Sequence, residues 1–147
     1  MLHLKLAGDL GQVMPLQFDP FDYVSVKEMV AGCNVVINLI GKRYETTHWS
    51  FKGVHCDLAE AIAMACEEEG VAQLIHVSAL GAAVDSPSAL MRSKAQCELA
   101  VRNAFPAATI IKPAPTVGPE DSYFNFLARL TKLPGPLDGT FPLIDGK

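Results

Sequence analysis

The sequence predicts an α/β fold built on a parallel sheet, and three observations predict it. Strand-length apolar runs alternate with helix-length amphipathic stretches, the order expected of βαβ crossovers. The run at 35–40 is apolar apart from Asn38, as in strands covered on both faces within parallel sheets. With 147 residues, 50% of them hydrophobic and 19% charged, the chain can bury one sizeable core.

Val13 to Phe18 (VMPLQF) is expected to be a short strand, which Pro15 restricts to an edge or irregular place because proline donates no ladder hydrogen bond. Asp19-Pro20-Phe21-Asp22 reads as a turn, after which Ser25 or Asp22 can cap a brief helix through Val26, Met29 and Val30, closed by Gly32. The strand Val35 to Ile40 ends at Gly41. A polar loop, Lys42 to Ser50, leads into a helix whose Val54, Leu58, Ala61, Ile62, Ala65 and Cys66 form one apolar stripe, with Gly70 as its C-terminal cap. Leu74 to Ser78 is the next strand. Ser86 then stands as an N-cap with Pro87 at the first helical position, and that helix runs to about Ala104, ahead of Pro106. Thr109 to Lys112 is a further β-branched strand stopped by Pro113. A last amphipathic helix spans about Tyr123 to Leu133 before Pro134-Gly135-Pro136. No internal repeat and no linker divides the chain, so residues 1–147 are expected to form a single domain.

Composition excludes several classes. The net charge of −4 and pI near 5.5 carry no basic footprint for nucleic acid. The longest apolar run is far too short to span a bilayer. Met1 to Lys5 has the features of neither a secretion signal nor a transit peptide. Cys33, Cys56, Cys66 and Cys97 show no CxxC spacing, and neighbouring His55 and Cys56 point in different directions on a helix, so no metal site is expected. Small, mostly buried thiols in a reducing compartment are the expectation.

Ligands of open parallel sheets bind beyond the carboxyl ends of the strands. Asp19, Asn38 to Gly41, Ser78 to Leu80 and Lys112 to Val117 all lie there.

Those strand ends, Phe18-Asp19 with Asp22, VVINLIG at 35–41, Val77-Ser78 and Lys112-Pro113 through Gly118-Pro119, together resemble the extended, or atypical, short-chain dehydrogenase/reductase superfamily. In chain order the resemblance implies an adenine-contacting turn, a strand end under the cofactor ribose and pyrophosphate, the strand of the active-site serine, and the segment flanking the nicotinamide. A narrower resemblance rests on Gly8-Asp9-Leu10-Gly11-Gln12, on NVVINLIG at 34–41 followed by Tyr44-Glu45-Thr46, on Ala104-Phe105-Pro106 and on Lys112-Pro113. Over nearly the whole chain the sequence is similar to the family of the 39 kDa-type accessory subunit of mitochondrial respiratory complex I, an NADH:ubiquinone oxidoreductase. That resemblance implies a Rossmann-like parallel sheet with flanking helices and a structural NADPH. It also implies a peripheral place on the matrix side of the mitochondrial inner membrane, against other subunits of the matrix arm near its junction with the membrane arm. The cofactor-binding residues it implies are Asp19, Asn38, Leu39, Ile40, Gly41, Ser78, Lys94 and Pro113, with no catalytic residue and no metal.

Two departures qualify what the resemblance implies. The family's domain opens with a strand and a G-x-x-G-x-x-G loop whose amides and following helix N-terminus cradle the pyrophosphate. This chain is expected to start after that first βαβ unit, as a partial domain, and so to hold a dinucleotide only weakly. The residue that separates NADP from NAD follows the second strand, which is not in the chain. Reductase chemistry, in turn, needs a Tyr four residues before a Lys on one helix face, where the ammonium lowers the phenol's pKa for proton transfer. Lys94 is present, but Leu90 stands four residues before it and cannot transfer a proton.

Each candidate also has a plain reading. Asp19 is a turn former before Pro20 as well as an adenine contact. Ser78 can bond nearby backbone instead of a cofactor. Asn38, inside an apolar strand, needs its amide satisfied by a loop or by a ligand. Lys94 shares a stripe with Leu90, Cys97 and Val101, where its stem could lie along an apolar face with its ammonium in water. His76 reads as a strand-face histidine, Glu67-Glu68-Glu69 as a solvated or partner-facing helix end, and Trp49 and Phe51 as either packing on the domain or anchoring a partner.

Three functions are compatible with these residues. The first is a non-catalytic, NADPH-binding structural subunit of complex I, favoured by the motif combination and by Leu90. An NAD(P)-dependent epimerase or reductase of the same superfamily is the second, and Leu90 counts against it. A free dinucleotide sensor without turnover is the third, and it leaves GDLGQ and NVVINLIG with YET unexplained.

Overall fold

In a computed structural model of the chain, residues 13–119 and 121–130 are described, so the GDLGQ motif and the expected helix end at 131–133 lie outside them. The chain divides into two compact units, Met1–Pro113 and Ala114–Lys147.

The first unit is a parallel three-stranded sheet with helices packed on one face. Its opening turn is made by Asp19, whose Oδ1 accepts the Phe21 N–H at 2.9 Å. Helix α1, Tyr23–Val30, is capped by Asp22, which accepts from the Val24 and Ser25 N–H groups at 3.1 and 3.3 Å. Ser25, the other candidate cap, instead accepts the Asp19 N–H at 3.0 Å. Gly32 ends this segment at φ +73°, a left-handed conformation that side chains resist.

Strand β1 is Val35–Asn38. A π-helical segment, Lys52–Asp57, runs without a break into α2, Leu58–Glu68, and Gly70 closes that helix at φ +67°. Strand β2 is Gln73–Val77, α3 is Ala89–Ala104, and β3 is Thr109–Ile111. The strand order is β1-β2-β3, every pair is parallel, and Asn38 stands beside His76, which stands beside Ile110. In the second unit the described helix is α4, Ser122–Leu130, with Asp121 accepting from the Tyr123 and Phe124 N–H groups.

Side chains alternate across each strand. Leu74 and His76 point into the helix layer, where Val26, Val30, Ile62, Cys66, Cys97 and Val101 complete the core. Val35 and Ile37 point the other way, and Ile37 is 58% exposed. An exposed ion pair ties α1 to α2, Lys27 Nζ to Glu68 Oε2 at 2.8 Å, and is worth little in water.

Three expectations change. Residues 13–18 form no strand, because a strand needs a neighbouring ladder and the described residues offer none there. The run at 35–40 stops pairing at Asn38 and is covered on one face only, since among the described residues no second layer lies over Val35 and Ile37. The third helix begins two residues later than expected. Ser86 Oγ accepts the Ser88 N–H at 3.3 Å, and the Ser86 and Pro87 carbonyls take the Arg92 guanidinium, so this stretch is a turn rather than a cap. Of the four thiols, Cys56, Cys66 and Cys97 are buried and Cys33 is exposed.

Candidate functional site

The carboxyl ends of β1 and β2 meet over the N-terminal half of α3. At the end of β1, Asn38 is buried with both ends of its amide used. Its Oδ1 accepts the Ile40 N–H at 3.0 Å, and its Nδ2 donates to His76 Nδ1 at 3.3 Å. With Nδ1 accepting, neutral His76 carries its proton on Nε2 and aims it at Cys97 Sγ, 3.2 Å away. His76 is 2% exposed, and burial, then the Lys94 ammonium, pulls its pKa down to about 4. Burial likewise pushes the Cys97 thiol up to about 12, so that sulfur stays protonated.

Leu39 and Ile40 are exposed where the chain leaves β1. Gly41 follows, and a Cβ on it would stand 3.3 Å from Lys94 Nζ and 3.7 Å from His55 Nε2. Lys94 reaches up from α3 and donates to the Val77 carbonyl at 3.4 Å, bridging the ends of both strands. Its partial burial lowers its pKa. The ammonium is therefore held beside a backbone stretch with no side chain.

His55, in the π-helical segment, belongs to the same cluster and was not singled out from sequence. Its Nε2 accepts the Lys42 N–H at 3.1 Å and its Nδ1 faces Ser93 Oγ at 2.8 Å. Ser93 in turn donates to the Leu90 carbonyl at 2.8 Å, so the imidazole proton must sit on Nδ1. The available signal was position, because His55 precedes Leu58, Ala59 and Ile62 at the offsets of their buried face, and a polar side chain there requires partners.

Ser78 follows β2 and donates to Glu98 Oε1 at 2.5 Å, while Glu98 Oε2 pairs with Lys112 Nζ at 2.8 Å. This buried carboxylate joins α3 to the ends of β2 and β3. It too was missed from sequence, for it sits one turn past Lys94 on a face taken as apolar. The Pro113 carbonyl accepts the Leu80 N–H at 3.0 Å and closes the same edge.

Asp19 is exposed in its turn, but its neighbours Phe18 and Pro20 form one wall of a cleft. Ile40, Gly41 and Lys42 form another, with Trp49, Val54 and Leu58 behind, enclosing about 310 Å³. Trp49 stacks on Phe21 at 4.4 Å and Phe51 on His55 at 5.6 Å, so both loop aromatics have partners within the unit. Asn38 to Gly41, Ser78 and Lys94 thus gather at the strand ends, the Asp19 turn borders the cleft, and Pro113 closes the far strand.

Apolar walls, an open glycine and the ammonium groups of Lys94 and of Lys42, which lies 5.7 Å from the Trp49 ring centre, suit a planar base joined to a polyhydroxylated or anionic group. A proton relay is harder to build there, because the position one turn before Lys94 on α3 is Leu90. Among the described residues no helix is long and apolar enough to cross a membrane.

Comparison with known proteins points the same way. A family described as NAD(P)H-binding matches residues 4–126. The chain is 49% identical over 145 residues, 98% of its length and 35% of the relative's, to the Arabidopsis thaliana protein named NADH dehydrogenase [ubiquinone] 1 alpha subcomplex subunit 9, mitochondrial. The Mus musculus protein of the same name is 45% identical over 129 residues, covering 88% of this chain and 34% of the relative. The chain therefore spans about a third of the length of these relatives. Among solved structures, a dTDP-4-dehydrorhamnose reductase from Bacillus anthracis in complex with NADP superposes with a TM-score of 0.68 at 15% identity, covering 89% of this chain and 55% of that one. That similarity concerns the fold.

Proposed function

The chain belongs to the NAD(P)H-binding family, and from that premise we propose that it is the nucleotide-holding part of a non-catalytic accessory subunit of mitochondrial complex I. The observation that carries the reading is Leu90, set one turn before Lys94 at the strand-end cleft beside Gly41.

The residues fit a dinucleotide, since Gly41 leaves open the space a Cβ would fill beside the Lys94 ammonium. In this reading the cofactor is NADPH. Pro20 and the Asp19 turn border its adenine, the backbone of Leu39, Ile40 and Gly41 runs beneath its ribose and pyrophosphate, and Lys94 meets ribose hydroxyls. Asn38 and Ser78 act from behind, holding the strand ends through His76 and Glu98, and Pro113 borders the nicotinamide end. When bound, NADPH would bring a hydride donor. Leucine at position 90 supplies no proton to accompany a hydride, so the nucleotide serves as a structural element.

The same reading sets the protein on the matrix side of the mitochondrial inner membrane, against other complex I subunits of the matrix arm. Native-gel fractionation of mitochondrial membranes with mass-spectrometric detection tests it. The chain is expected to migrate with the intact complex, and recovery solely as a small soluble species would end this proposal.

A reductase or epimerase remains the second reading, favoured by the fold similarity and by the presence of Lys94. Leu90→Tyr separates the two. The variant is expected to show no turnover of NADPH above background with carbonyl substrates, and measurable reductase activity would favour the second reading.

A further inference from the structure

We propose that His55 is the positioning residue for the strand-end loop, holding the Lys42 N–H so that the backbone at Gly41 stays open beside the Lys94 ammonium. This rests on the dinucleotide reading above and assigns a task within that same cleft.

Three links run in one direction. The Lys42 N–H donates to His55 Nε2 at 3.1 Å, His55 Nδ1–H to Ser93 Oγ at 2.8 Å, and the Ser93 hydroxyl to the Leu90 carbonyl at 2.8 Å. The loop following β1 is thereby fastened to the backbone of α3, the helix that carries Lys94. Ile40 reaches the same helix by a separate route through Asn38, His76 and Cys97, so what this tie alone holds is the stretch beyond Ile40, which without it could close over the space beside the ammonium.

His55 stands within the π-helical segment, between the strand-end loop and α3. Widened turns of this kind displace side chains from the ordinary helical positions and are frequent at functional sites. His55 is 2% exposed, and Phe51 stacks on its ring at 5.6 Å, so the imidazole has little freedom to turn.

The tie requires neutral imidazole. A proton on Nε2 would confront the Lys42 N–H donor. The charged and titratable groups facing the ring are Lys94 from α3 and His76 from β2, and neither offers a negative charge to shelter that proton. Burial, then Lys94, holds the His55 pKa below the ordinary histidine value. The loop is therefore fastened at neutral pH and released in acid.

The experiment is an NMR titration of the full chain with NADPH to millimolar concentration. It reads the Gly41 and Lys42 amide signals in wild type, His55→Leu and His55→Gln, with circular dichroism reporting folding. In wild type, affinity should fall at least tenfold as His55 protonates, with the Lys42 amide shift following the same titration curve. His55→Leu should bind at least tenfold more weakly at pH 7, with a fast-exchanging Lys42 amide. His55→Gln, whose amide oxygen can accept that N–H, should recover most of the affinity and lose the pH dependence. Wild-type affinity in His55→Leu, or a wild-type affinity that stays flat while His55 titrates, overturns the assignment and leaves the dinucleotide reading standing. If His55→Leu does not fold, the wild-type pH profile and His55→Gln still decide. Absence of NADPH binding in wild type removes the reading and this assignment together.

Discussion

Lowering the pH from about 6.5 to about 4 is expected to remove about 3 kcal/mol of folding stability through His76 alone. Above the ordinary histidine pKa neither state binds the proton and the effect is nil. Between that value and the native value of about 4, the unfolded chain binds a proton that the native chain excludes, so stability falls with pH. The exclusion is structural, because Asn38 Nδ2 donates to Nδ1 and the other ring nitrogen is enclosed against Cys97. His55, shifted in the same direction, adds to the slope. Urea denaturation at a series of pH values measures it, and about 2 kcal/mol should be lost by roughly pH 5, before most carboxylates titrate. His76→Gln should flatten much of the curve. Equal stability of wild type at pH 7 and pH 5 would refute the claim.

Gly41→Val is expected to weaken NADPH binding tenfold or more while leaving the melting temperature nearly unchanged. A Cβ there meets the Lys94 ammonium at 3.3 Å and lies at ordinary contact distance, 3.7 Å, from His55 Nε2, so the side chain occupies the space beside the ammonium. A lysine end can swing aside, so the fold accommodates the change at small cost, whereas the site loses both its opening and its cation. Fluorescence titration beside a thermal melt reads the two effects separately. Undiminished binding in a folded Gly41→Val chain would mean that the nucleotide lies elsewhere.

Much of the fold was legible because it is written in periodicity. The stripe from Val54 to Cys66 and the glycine at 70 describe α2 and its end closely, and the strand around Leu74 to Val77 follows from its apolar run. The failures share a physical origin. Hydrophobicity states what a segment could bury but not whether anything covers it, so VMPLQF reads as a strand without a ladder and Ile37 reads as core while standing exposed. Ser86 and Pro87 have the chemistry of a helix start, yet the Arg92 guanidinium takes the carbonyls that such a start would direct into the helix.

The site was legible where topology alone determines it. Strand ends drew attention to Asn38, Gly41 and Ser78, whereas Lys94 came only from the resemblance to the short-chain dehydrogenase/reductase superfamily. His55 and Glu98 were not legible, for each is a polar residue on an otherwise apolar helix face, and its use depends on partners 38 and 20 positions away in the chain. Sequence proximity carries no trace of such pairings.

The uncovered face of the sheet has a thermodynamic consequence. A molecule that docked over Val35, Ile37 and Ile111, exposed among the described residues, would recognise an arrangement that exists only in the folded chain. It would draw the folding equilibrium toward the native state by mass action, by about 2.7 kcal/mol when present at a hundredfold excess over its dissociation constant. That is close to what His76 withdraws in acid. A melting temperature measured with such a molecule present would then depend on its concentration.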